Sequence, residues 1–151
     1  MASVSGKPIG GVGFSSAFTK WLKKAQDNAD KVLREVGLEG GKELLENSPV
    51  KSGRFRRNWK VRAGAPNLNF DMAIPRGGPK SDPTTTGFPA TEAELEEVVR
   101  VKRAKYGQSL FFTNSLPYGK KVERLYGTLA ISVERLRAKI PAIVRRVEKG
   151  G

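Results

Sequence analysis

From Ser15 or Ser16, either of which can cap a helix, apolar residues recur at Phe18, Leu22, Ala25, Ala29, Val32, Val36 and Leu44, with Trp21, Leu33 and Leu45 widening the stripe. That spacing predicts one long amphipathic helix. Gly37, Gly40 and Gly41 each weaken its second half by about 1 kcal/mol relative to alanine. Either a break or a close packing contact is therefore expected near residues 37–41. Pro49 cannot continue a helix and disfavours helical geometry at Ser48, so the run ends near Asn47. The Phe18 and Trp21 stripe is expected to serve core or subunit contact rather than a ligand.

Beyond the proline the period changes. Ser48-Pro49-Val50-Lys51-Ser52-Gly53-Arg54-Phe55-Arg56-Arg57-Asn58-Trp59 reads as a basic loop hinged at Gly53 that enters an aromatic strand, with alternation over Asn58–Ala63. Gly64-Ala65-Pro66-Asn67 is a turn, and Leu68–Ile74 reads as a second strand. A long polar stretch rich in Pro and Gly covers 75–89, a length that in a compact domain points to function or disorder. Thr91-Glu92-Ala93-Glu94 is a capping box, and a helix is expected from there to about Ala104. Ser109–Asn114 is a short apolar strand, Lys120–Leu125 a short helix, and Gly127-Thr128 a reset. Leu129, Ile131, Val133, Leu136, Ile140, Ile143, Val144 and Val147 then mark a terminal helix, kinked or restarted at Pro141. The order predicts an α+β fold, with a long N-terminal helix and a C-terminal helix packed on a small antiparallel sheet, mixed-sheet variants staying open. Residues 1–14 read as a flexible Gly-rich arm, expected to order against a neighbouring subunit, and 15–151 as a single domain.

Composition removes much chemistry. The chain of 151 residues has no cysteine and no histidine, which excludes disulfides, thiolate nucleophiles, thiolate zinc sites and imidazole acid–base catalysis. Glu92, Glu94, Glu96 and Glu97 are read as first-turn acids and a solvated face rather than metal ligands. No glycine cluster has phosphate-loop spacing, at the arm or at Gly40-Gly41-Lys42. No apolar run approaches the roughly 18 residues of a spanning helix, and no apolar leader is evident, so use without export and without a membrane is expected.

The formal charge of +13 is uneven. Residues 51–62 hold six cations and no acid, 100–151 thirteen cations and three acids, and 63–99 two cations and six acids. A field of that size suits nucleic acid, an anionic lumen or an acidic protein ring, against the plainer reading of a basic surface that serves solubility.

Two segments resemble a known family. Residues 48–59 present a proline–valine pair, a hydroxyl residue before glycine, an apolar residue followed by a cation, and a small polar residue before tryptophan. This is similar to an element of the neck and tail-completion (head–tail joining) proteins of tailed bacteriophages, placed as there after a long N-terminal helix. Asn114-Ser115-Leu116-Pro117-Tyr118-Gly119-Lys120-Lys121-Val122-Glu123 resembles a second element of that family, leading to a glycine and a closing helix as Gly127-Thr128-Leu129 does. The chain departs from the pattern at Gly119, where the family often has alanine, and at Arg124-Leu125-Tyr126.

The resemblance implies a non-enzymatic virion protein without cofactor or metal, assembled in the host cytoplasm. It would form a hexameric or dodecameric ring at the neck, between portal or adaptor and the tail tube or terminator, around the DNA channel. On this reading Lys51, Arg54, Arg56, Arg57, Arg135, Arg145 and Arg146 contact DNA non-specifically or a partner ring. Phe55, Trp59, Tyr118 and Tyr126 form core or subunit interface, and Glu123 joins them by pairing with a cation. The competing reading is a free basic nucleic-acid-binding module, with a nuclease a distant third.

Overall fold

The computed structural model describes residues 12–50, 53–72 and 86–150. Helix α1 spans Val12–Glu46, α2 Arg54–Arg57, strand β1 Lys60–Ala63, α3 Glu92–Val98, β2 Val99–Arg100, β3 Leu110–Thr113, α4 Gly119–Tyr126 and α5 Thr128–Gly150. The fold is α+β. The three strands lie in the order β2-β1-β3, with β1 antiparallel to β3 and parallel to β2, so the sheet is mixed.

Helix α1 runs unbroken through its glycines, and their role is close approach. A Cβ on Gly40 would stand 2.5 Å from Cε1 of Phe112 and 3.2 Å from Cδ2 of Leu136, and one on Gly41 would collide with Val99. The sheet and α5 therefore seat against the bare backbone of α1. Val61, fully buried at the centre of β1, faces Val99 and Phe112 across its two ladders. Leu44, Leu45, Phe55, Trp59, Val98 and Leu116 complete this core.

Helix α5 packs on α1 in the opposite direction. Asn47 meets Ser132 and Arg135, Glu43 and Glu39 meet Lys139, and Glu35 meets Arg146. The hydrogen bond to Glu43 holds the Lys139 ammonium above its ordinary range, outweighing its burial. At 35 residues α1 is about 52 Å long and at 23 residues α5 is about 35 Å. The first part of α1 therefore projects past the end of α5, and residues 23–27 are exposed.

Several sequence expectations change. The helix begun by the capping box ends at Val98, not near Ala104, because Val99 and Arg100 pair with β1; the β-branched run Val98, Val99, Val101 favours a pleated ladder. Arg54–Arg57 is one helical turn entered through Gly53 at φ 83°, so the strand starts only at Lys60. Residues 68–72 form no strand, and 73–74 lie outside the described residues. The backbone of Asp71 is instead held by the Asn58 side chain through its N–H and its carbonyl. Helix α5 passes through Pro141 without restarting. Of the predicted arm, 1–11 lie outside the described residues and 12–14 belong to α1. The side chains of Phe18 and Trp21 and residues 75–85 of the polar stretch also lie outside them.

Two glycine substitutions separate packing from propensity. Gly40→Ala is expected to destabilise by about 1–3 kcal/mol despite the better helix former, because Phe112 and Leu136 must move. Gly150→Ala meets nothing within 4 Å. It is expected to be neutral or slightly stabilising, both changes being read from urea midpoints.

Candidate functional site

The segment 48–59 closes on itself. Ser48 donates its hydroxyl to the Leu44 carbonyl at 2.6 Å and accepts the Trp59 indole N–H at 2.9 Å, so the first and last residues of the segment meet under the end of α1. Phe55 packs edge-on against Trp59, with ring centroids 5.5 Å apart. Asn58 donates to the carbonyls of Arg54 and Asp71 and accepts from the Asp71 N–H. Asn114, which opens the second segment, donates to the Phe55 carbonyl at 2.9 Å. The two segments form one structural unit.

Arg56 is the centre of this unit. Its side chain is 1% exposed. Nε and a terminal nitrogen grip the two oxygens of Glu94 at 2.7 and 2.9 Å, while the terminal nitrogens also donate to the carbonyls of Phe88 and Pro89. Glu94 meanwhile completes the capping box with Thr91. Burial alone would raise the Glu94 carboxyl, but the hydrogen bonds from Arg56 and Thr91 and the Arg56 charge outweigh it, and the net direction is down.

These contacts redistribute the predicted site residues. Arg56 is withdrawn from DNA or partner contact, because a fully paired guanidinium at the core has no face left for either. Arg57 lies on the surface side, bound to Glu97 at 2.7 Å, with its Nε buried and unpartnered among the described residues. Arg54 is half-buried and has a partner of its own; Lys51 lies outside the described residues. Arg135 donates to Asn47 and Arg146 pairs with Glu35, so both serve the α1–α5 seam, while Arg145 is exposed.

Phe55 and Trp59 are core, and Tyr118 packs against that core from a half-buried position, as Tyr126 is half-buried on α4. Glu123 corrects a second expectation. Its two oxygens accept the backbone N–H groups of Leu129 and Ala130 at 2.7 and 3.2 Å, so it caps α5 from α4 instead of pairing with a cation.

The structure also assembles cations that the sequence had left in separate segments. Alternation on β1 turns Val61 inward and Lys60 and Arg62 outward, and the β1–β2 register sets Arg62 opposite Arg100. Burial, then the neighbouring charges, lower the pKa of Lys60; Arg62 and Arg100 act in that direction, with Glu97 and Asp71 opposing. Arg62 is lowered likewise by burial and by Arg100. The period-two spacing of Lys60 and Arg62 was visible in the chain, but Arg100 joins them only through a parallel pairing across 38 residues.

No family model, curated protein or solved structure matches this chain. Among the described residues no group of three or more Asp or Glu is placed to hold a metal ion, and no helix is long and apolar enough to cross a membrane. An open groove of about 1100 Å³ lies between α1, α3 and the outer edge of β2, walled by Leu38, Leu95, Val101 and mixed charges.

Glu94→Gln is expected to cost about 3–5 kcal/mol at pH 7, because it leaves the Arg56 charge buried without its counterion. The folded Glu94 pKa lies below the unfolded value of about 4.3, so its contribution is complete above that pH and is lost as pH falls through the folded value. The wild-type advantage over the variant should shrink with acidification in urea titrations. Arg57→Gln, at a partly exposed pair, should cost no more than about 1 kcal/mol.

Proposed function

We propose that this chain is a non-catalytic structural subunit of a tailed-phage virion, which forms a ring at the head–tail junction and surrounds the DNA channel. The observation that supports this reading is the Asn114–Phe55 contact. The two segments resembling neck and tail-completion proteins lie 59 residues apart at that bond, yet they interlock with Ser48, Asn58 and Trp59 into one unit at the base of the long helix. Their shared presence thus has a physical reason: Asn114 of the second segment holds the Phe55 carbonyl of the first, and Leu116 shares a core with Phe55 and Trp59.

In this role the outward cations meet the DNA backbone. Phosphates passing a ring lumen are attracted by Lys and Arg without base readout, and weak, distributed contacts leave DNA free to move. The portal or adaptor on one side and the tail tube or terminator on the other are the partners. Assembly takes place in the host cytoplasm and the finished subunit resides in the neck of the virion.

The competing class, a free nucleic-acid-binding module, is favoured by the outward basic face of the sheet. Light scattering after size exclusion, together with electron microscopy of the purified protein, distinguishes the two. Closed rings, alone or on addition of portal or tail tube, are the expected result. A strict monomer that grips duplex DNA and never assembles would sink the ring reading in favour of the module.

A further inference from the structure

We propose that the outward face of the sheet, through Lys60, Arg62 and Arg100, is a binding site for the phosphodiester backbone of nucleic acid. This goes deeper into the DNA contact of the proposed function, but it does not require a ring, since one copy carries the whole face.

The geometry has three parts. Arg62 and Arg100 are direct cross-strand partners, and Lys60 lies two residues along β1 on the same face. Like charges set directly opposite on a sheet destabilise it, and burial first, then the neighbouring cations, lower the pKa of Lys60 and Arg62. A local rule broken and only partly compensated is expected at a working surface.

The nearby acids offset the cluster only in part: Glu97 raises Lys60 by more than Arg100 lowers it, but by less than burial or Arg62 does. Glu97 is bound to Arg57 at 2.7 Å. Asp71 opposes the shift of Lys60 only as the smallest of its influences. One nitrogen of Arg62 donates to the Val98 carbonyl at 2.7 Å and to that of Val61, which fixes its position at the end of α3. Arg100 is exposed.

The shape selects the ligand class. Helix α1 covers the inner face of the sheet, and β3 continues the outer face with Phe111 and Thr113 opposite Arg62 and Lys60. The cations run along one face, with Arg100 exposed, Lys60 and Arg62 half-buried and the chain at Asn67 bonded to Thr113 at one end, an arrangement that suits a linear polyanion better than a small phosphate compound.

The test measures binding of the full chain to a short mixed-sequence duplex by fluorescence anisotropy over a range of salt. Lys60→Gln with Arg100→Gln is expected to weaken binding roughly tenfold near 0.1 M salt and to reduce the slope of log affinity against log salt by about two. Lys120→Gln with Lys121→Gln removes the same charge from the exposed start of α4 and should change both far less. The first pair should melt at or above the wild-type temperature, because a repulsion has been removed. Equal weakening by the two pairs would show a diffuse field and overturn the site, as would a wild-type chain that does not bind, or binding only to an acidic protein. Particle mass read on the same samples keeps the readings apart: lost rings with intact DNA binding count against the ring alone, and intact rings with unchanged binding in the first pair count against this site alone.

Discussion

One buried guanidinium organises this molecule. Arg56 joins the turn after α1 to α3 and to the chain that leads into α3, and it does so with four hydrogen bonds, two of them to a carboxylate that itself caps a helix. A charge placed there costs much in lost hydration, and a buried ion pair need not add net stability over an apolar pair. What it adds is directional restriction: only one placement of Glu94, Phe88 and Pro89 satisfies the planar fork. The position of α3, and hence the strand β2 that follows it directly, depends on that fork.

Around this centre, close packing and charge are divided between the two sides of the sheet. The inner side is built by omission, since Gly40 and Gly41 leave α1 bare enough for Phe112 and Val99 to reach its backbone. The outer side is built by alternation, which sends Lys60 and Arg62 away from Val61. The seam between α1 and α5 uses charge differently again, with Lys139 and Arg146 answering Glu39, Glu43 and Glu35 on the helix they cover. Much of the positive charge on α5 that looked available to partners is thus engaged within the chain.

What the sequence disclosed was what local rules determine. The Thr91 capping box, the Gly53 hinge, the Gly127 stop and the periodic terminal helix all depend on neighbours within a few residues, and each forms as expected. The misreadings have the opposite character. Arg56 looked like its neighbours in a basic run, because its partners lie 32 to 38 residues away. Glu123 looked like half of an ion pair, whereas its oxygens answer the backbone of the next helix. The glycines gave two readings, and only the approach of Phe112 and Val99 decided between a break and a contact. Strand β2 was hidden because a two-residue pairing has no period of its own and borrows its register from β1.

The chain around residues 73–85 is anchored at both feet on the same short segment. Asn58 holds Asp71 on one side, and Arg56 holds Phe88 and Pro89 on the other, with Gly87 bonded to the end of α1. Asn58 and Arg56, two residues apart, thus act as a clasp on one turn of helix that sets where Asp71 and Phe88 lie relative to each other, so a change in that turn is felt at two distant points of the chain at once.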